Sequence, residues 1–136
     1  MEQITNQLKQ AGYKLTPQRL AICKLIFESK EHPSAEVIFN ELKKAFPTIS
    51  LATVYKTFSL LTELGLIREV GTEDGKIRID PNKKLHVNLI CTKCGEIKDY
   101  ITDSITEQWL KIVKEINITP TSQMINIYYE CKKCRK

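Results

Sequence analysis

Residues 50–80 read SLATVYKTFSLLTELGLIREVGTEDGKIRID, and a change of rhythm inside that stretch decides the fold. Ser50 is a good N-cap, and LATVYKTFSLLTEL predicts a helix over 50–64 that stops at Gly65. Leu51, Val54, Phe58, Leu61 and Gly65 follow a 3-4 spacing and are expected to form its buried stripe. IREVG (67–71) and KIRID (76–80) then flank TEDG, the pattern of a β-hairpin built from short β-branched strands. Helices that close on a two-stranded hairpin describe a winged helix-turn-helix.

Upstream the reading is helical throughout. Residues 2–11 form one helix. Thr16-Pro17 starts a second, with an N-cap followed by proline at the first helical position, and Pro33-Ser34 starts a third over AEVIFNELKKAF. The periodic apolar residues of these helices are Leu20, Leu25, Ile26 and Phe27, then Val37, Ile38, Leu42 and Phe46. Downstream, PNKK (81–84) reads as a hinge. Strands HVNLIC and EIKDYI, a helix from about 105 to 117 and a last strand MINIYYEC follow it. The expected organisation is α+β, with a winged-helix domain over 1–80, a hinge over 81–84 and a small α/β domain over 85–136.

The chain has 136 residues with 42% hydrophobic content, enough for a packed core. It contains no apolar run of about 18 residues, so no spanning helix is expected. Its polar start, MEQITNQLKQAG, lacks the apolar core of a signal peptide, which predicts a cytoplasmic protein. Net charge is +5. Residues 1–80 hold eleven Lys/Arg against ten Asp/Glu, and residues 81–136 hold ten against six, so charge alone is a weak pointer to nucleic acid.

Four of the five cysteines form two CxxC pairs, CTKC at 91–94 and CKKC at 131–134. Each pair puts two soft ligands on one tight turn, and Cys91, Cys94, Cys131 and Cys134 together suit one tetrahedral Zn²⁺. Such an ion would tie the first strand of the small domain to its last, a staple for a unit with little core. A thiol switch acting through zinc loss, or a CxxC oxidoreductase, uses the same residues. A thioredoxin-like CxxC, however, opens a helix, whereas a strand follows here. Cys23 sits in the apolar run LAICKLIF and reads as a small core residue.

On the helix 50–64, Ala52, Tyr55, Lys56 and Ser59 share the face opposite the apolar stripe, with Thr53 beside it. A recognition helix presents such residues to base edges from its N-terminal turns. Thr53 or Tyr55 suits a thymine methyl, and Lys56 suits a guanine or a phosphate. The same residues also suit an ordinary solvated face.

LTPQR (15–19), HPSAEVIF (32–39), ISLATVYKTFSLLTELGLI (49–67), HVNLICTKCGEI (86–97) and the closing CKKC resemble the ferric uptake regulator family in order and spacing, over nearly the whole chain. The resemblance implies a winged helix, a dimerisation domain, a homodimer and metal-dependent repression at a palindromic double-stranded DNA operator. It implies DNA contacts from Lys14 ahead of LTPQR and from Tyr55 and Lys56. Thr16, Arg19, Ser50, Ala52 and Thr53 complete the expected DNA-binding set. It also implies a regulatory metal on His32, Asp80, His86 and Asp99, with Fe²⁺ or Mn²⁺ as the expected ion and Zn²⁺ as a third candidate.

Two departures stand out. Lys56 replaces the usual arginine and so loses a bidentate fork. Asn88 stands where the family has a second histidine of an HxH, which leaves the fifth ligand position to a neutral amide. Asp99 resembles the peroxide-responsive branch, in which Fe²⁺ reacts with peroxide and the liganding histidines, here His32 and His86, are oxidised. The alternatives are an iron, manganese or zinc uptake regulator of the same family, a thiol oxidoreductase or metal hydrolase, and a zinc-ribbon partner-binding module. The sequence shows no Ser/His/Asp set or glycine-rich phosphate loop, and the expectation is a regulator rather than an enzyme.

Overall fold

The structure, a computed structural model, describes residues 1–29, 31–71, 77–82 and 84–135. They fall into two compact units that divide between residues 82 and 84.

The first unit holds α1 (Glu2–Gln10), α2 (Pro17–Glu28), α3 (Ala35–Leu42) and α4 (Leu51–Glu63), followed by β1 (Arg68–Gly71) and β2 (Ile77–Asp80). Each of the last three helices begins where a hydroxyl can replace a missing helical acceptor. Thr16 accepts from Arg19 N, Ser34 from Val37 N and Ser50 from Thr53 N. Helix α4 ends at a Leu64 cap, and Gly65 turns the chain out at φ +71°, a left-handed conformation that suits glycine. Strands β1 and β2 pair antiparallel with Arg68 opposite Asp80. The turn expected over TEDG (72–75), and Lys76, lie outside the described residues. A short bridge between Ser34 and Arg78, with Ile79 N donating to Pro33 O at 3.3 Å, ties the hairpin to the start of α3.

The core of this unit gathers Leu8, Ile22, Cys23, Ile26, Ile38, Leu42, Val54, Phe58, Leu61 and Ile79. Three sequence expectations are corrected here. Val37 is 50% exposed, because α3 turns Ala35, Ile38 and Leu42 inward instead. Leu51 is only half-buried and Gly65 is exposed; Thr57 and Leu60 widen the buried face of α4 in their place. In α2 the fully buried residues are Ile22, Cys23 and Ile26, with Leu20, Leu25 and Phe27 around them.

The second unit holds β3 (Val87–Cys91), β4 (Ile97–Tyr100), α5 (Asp103–Ile116) and β5 (Ile125–Tyr129) in a three-stranded sheet of order β4-β3-β5. The helix begins two residues before the expected position because Thr102 caps it, accepting from Ser104 N. Strand β3 pairs antiparallel with β4 through the CTKC turn and parallel with β5. The parallel pairing requires a crossover, supplied by β4 and α5. It also brings the C-terminal ends of β3 and β5 to the same end of the sheet. Helix α5 buries none of its residues, and Leu110 (63%), Ile112 and Ile116 are exposed.

Candidate metal centres and nucleic-acid face

The parallel β3–β5 pair explains why two distant CxxC turns meet. Tyr129 stands opposite Cys91 in the register, and Thr92 N donates to Tyr129 O at 2.9 Å, so both knuckles leave the sheet at the same end. Gly95 closes the first knuckle at φ +74°, its N–H donating to Cys91 O at 3.0 Å. The second closes the same way, with Cys134 N donating to Cys131 O at 3.0 Å.

The four sulfurs all lie within 4.8 Å of one another, and Cys94 Sγ is 3.8 Å from Cys131 Sγ. A disulfide needs about 2.05 Å. The edge of a tetrahedron with Zn–S bonds of about 2.3 Å is about 3.8 Å, so the donor set fits zinc. Backbone N–H groups of Cys94 and then Cys131 point at Cys91 Sγ and pull its pKa from 9.0 to about 6. Cys134, hydrogen-bonded to the Cys131 sulfur and desolvated, is pushed up to about 12. One sulfur is thus pre-ionised while another holds a proton that a dication would displace.

The two histidines each stand beside an aspartate. In the first unit His32 is buried just ahead of α3, and its Nε2 is 3.7 Å from Oδ1 of Asp80, the last residue of β2. That oxygen also accepts from Asn82 N at 2.8 Å, while Arg68 Nη2 donates to Asn82 O at 2.9 Å. Pro81 and Asn82, expected in a hinge, therefore belong to the first unit; Lys83 lies outside the described residues. In the second unit His86 directly precedes β3 and is buried, with Nε2 3.5 Å from Asp99 Oδ1. Asn88 is 1% exposed and directs Oδ1 at His86 Nε2, 3.0 Å away. Its Nδ2 donates to Asn126 Oδ1 at 3.1 Å.

On the first unit, Thr16, Arg19, Thr53 and Lys56 border one cleft of ≈ 580 Å³, with Phe46 and Thr57 behind them. Arg19 Nη1 donates to the Lys14 carbonyl and fixes the backbone from which the exposed Lys14 side chain extends. Ser50 reaches the cleft through Thr53, their hydroxyls 2.9 Å apart. Ala52 and Tyr55 stand exposed on α4, and Tyr55 OH donates to Glu36 Oε1 at 2.6 Å. That bond, together with the charge of Glu36, raises the tyrosine pKa above 10.0.

Sequence reasoning missed two residues, Glu36 and Asn126. Glu36 gave no signal, since it reads as an ordinary acidic first-turn residue of α3. Asn126 gave a weak one: a polar residue alternating with Ile125 and Ile127 in a sheet strand.

The sequence model of the ferric uptake regulator family matches residues 10–128. The peroxide-responsive repressor PerR of Staphylococcus epidermidis is 33% identical over an alignment of 138 residues, covering 100% of this chain and 91% of that protein. Among solved structures, the Campylobacter jejuni peroxide stress regulator superposes with TM-score 0.76 at 32% identity, covering 98% of this chain and 97% of that one. The Helicobacter pylori ferric uptake regulator, described with three functional metal-binding sites, superposes with TM-score 0.84. Its 24% identity, over 99% of this chain and 91% of that one, speaks for the fold alone.

Proposed function

Because the chain belongs to the ferric uptake regulator family, a family of metal-responsive regulators, we propose that it is a homodimeric repressor that binds palindromic operator DNA and releases it on peroxide stress. The observation that carries this reading is the pair of His–Asp couples, His32–Asp80 at 3.7 Å and His86–Asp99 at 3.5 Å, one in each unit, with both histidines and Asp80 buried and Asp99 open to solvent. Imidazole and carboxylate donors suit Fe²⁺ or Mn²⁺ better than the all-sulfur cluster does. A single ion taking both couples would join the winged helix to the sheet domain.

The zinc cluster fixes the small domain and takes no part in sensing. Dimerisation falls to the second unit. Leu110, Ile112, Ile116 and Ile118, with Ile127 and Tyr128 of the edge strand β5, are exposed apolar residues of this unit, and a second copy docked here would cover some of them. Two-fold symmetry then presents two α4 helices to two half-sites. Lys14, Thr16, Arg19, Ser50, Ala52, Thr53, Tyr55 and Lys56 supply the DNA contacts. When Fe²⁺ is bound, it supplies the one-electron chemistry that turns peroxide into a local oxidant. His32 and His86, the only histidines, are the nearest oxidisable ligands. Oxidation of either weakens its hold on the ion and returns the dimer to a form that does not match the operator. The role calls for no catalytic turnover, and among the described residues no helix is long and apolar enough to cross a membrane.

The test is peptide mass spectrometry of zinc-loaded protein given Fe²⁺ and then peroxide, with Mn²⁺ as control. One added oxygen on His32 or His86, seen only with iron, is the expected result. Unmodified histidines with iron demonstrably bound would overturn the peroxide reading and leave a metal-uptake regulator.

A further inference from the structure

Three strands of the second unit present one polar row. Asn88 of β3 stands opposite Asp99 of β4 and opposite Asn126 of β5, so Asp99, Asn88 and Asn126 cross the sheet side by side. His86, two residues before Asn88, completes the group on the same face.

The hydrogen-bonding capacities of these groups are informative. His86 Nδ1 lies 2.6 Å from the Lys84 carbonyl oxygen, which can only accept, so Nδ1 carries the ring proton. In the neutral ring Nε2 is then an acceptor. Asn126 Oδ1 takes the nitrogen end of the Asn88 amide, so the oxygen end faces His86. The lone pair on Nε2 therefore has two further lone-pair donors beside it, Asn88 Oδ1 at 3.0 Å and Asp99 Oδ1 at 3.5 Å. Donor atoms at about 2.1 Å from one first-row ion lie about 3.0 Å apart at octahedral angles and about 3.4 Å apart at tetrahedral ones. The observed separations are those of neighbouring ligands on a shared ion.

We propose that Asn88 coordinates the regulatory ion through Oδ1, and that Asn126 is the positioning residue that turns that oxygen toward it. The inference rests on the regulatory-metal reading above and deepens it. The fifth ligand is an amide oxygen in place of an imidazole, and its direction is set from a neighbouring strand. Amide and carboxylate oxygens suit Mn²⁺, whereas imidazole suits Zn²⁺ and Fe²⁺. This chain's site is biased toward the harder ions.

The test titrates zinc-loaded, full-length protein with Mn²⁺ and follows free Mn²⁺ by electron paramagnetic resonance. Asn88→Leu should weaken binding at least tenfold, and Asn126→Leu about tenfold although Asn88 is still present. Asn126→Asp, which keeps an acceptor for the amide, should bind at least as tightly as wild type. Asn88→His should raise Zn²⁺ affinity more than Mn²⁺ affinity.

Leucine in a polar row can unsettle the sheet, above all at the buried Asn88, so a direct readout accompanies the variants. Protein labelled with ¹³C at the asparagine side-chain carbonyl should show a strong ¹³C coupling to bound Mn²⁺ by electron–nuclear double resonance. That coupling should vanish in Asn88→Asp, which still binds. No such coupling in wild type, or wild-type affinity in both leucine variants while His86→Ala abolishes binding, would overturn the inference and leave Asn88 a hydrogen-bond partner of His86. Undiminished Mn²⁺ binding by His86→Ala would instead overturn the regulatory site itself, and this inference with it.

Discussion

Lys14→Ala isolates a single charge in the proposed DNA interface. The backbone at residue 14 is already held, since Arg19 Nη1 donates to its carbonyl and Thr16 caps α2 two residues on. The Lys14 side chain is exposed, so truncation should remove an ammonium and leave the backbone in place. Each neutralised phosphate contributes about 0.9 to the slope of log affinity against log salt. One Lys14 per protomer makes two per dimer, so the variant's slope should be shallower by about 1.8. Between 200 and 50 mM salt, a fourfold range, the gap between wild type and variant should widen about 12-fold toward the low-salt end. The assay is fluorescence anisotropy on a palindromic operator duplex with saturating Mn²⁺, read at several salt concentrations. Lys14→Arg should restore the slope. Two parallel lines, with the variant weaker by the same factor at every salt, would refute a phosphate contact at Lys14.

Three further outcomes are expected. Cys131→Ser should abolish stoichiometric zinc and destabilise the β3–β5 sheet while α1 to α4 stay folded; metal analysis with far-ultraviolet circular dichroism reads both, and full zinc with unchanged unfolding would contradict the staple. In zinc-stripped protein the unfolded chain holds the Cys91 proton between pH about 6 and 9.0 while the folded chain has shed it. The contribution of this cysteine to stability should therefore rise with pH across that window and be lost as pH falls through about 6. Cys134, pushed from 9.0 up to about 12, works in the opposite sense, so stability should fall again above 9.0. Urea unfolding at a series of pH values checks this, and a curve without a maximum near pH 9 would refute it. Leu61→Ala, at a fully buried position in the first core, should cost about 2–5 kcal/mol by the same urea measurement, and a loss well under 1 would mean that the site collapses onto the cavity.

What the sequence made legible follows from how local each signal is. Thr16, Ser34 and Ser50 are caps read within four residues, and each caps the helix it announced. The CxxC turns are equally local, and one ion linking two of them is a small further step. Faces were less legible. Val37 fits the 3-4 spacing but lies exposed, because a helix of 8 residues offers more than one apolar stripe and packing selects among them, while Gly65 lies exposed because α4 has already ended at Leu64 and the chain turns out there. The partners of functional residues were least legible. Glu36 meets Tyr55 from another helix, and Asn126 meets Asn88 across 38 positions through a parallel register that the spacing of strands does not encode.

On the proposed mechanism, the strength of the switch follows from how the ligands are shared between the units. An ion that reaches only the His86–Asp99 couple, even with Asn88, has two or three protein donors. The form that also offers His32 and Asp80 adds an imidazole and a carboxylate. Moving a two-state equilibrium from 1:99 to 99:1 requires about a 10⁴-fold difference in affinity between the forms, about 5.5 kcal/mol. Two further anionic or imidazole ligands can supply a difference of that order, and a neutral amide at position 88 leaves it untouched, because Asn88 belongs to one unit and would bind equally in both forms. Replacing the histidine of an HxH by asparagine thus lowers affinity for the ion without lowering the coupling, so the metal concentration at which the switch turns is set separately from how completely it turns.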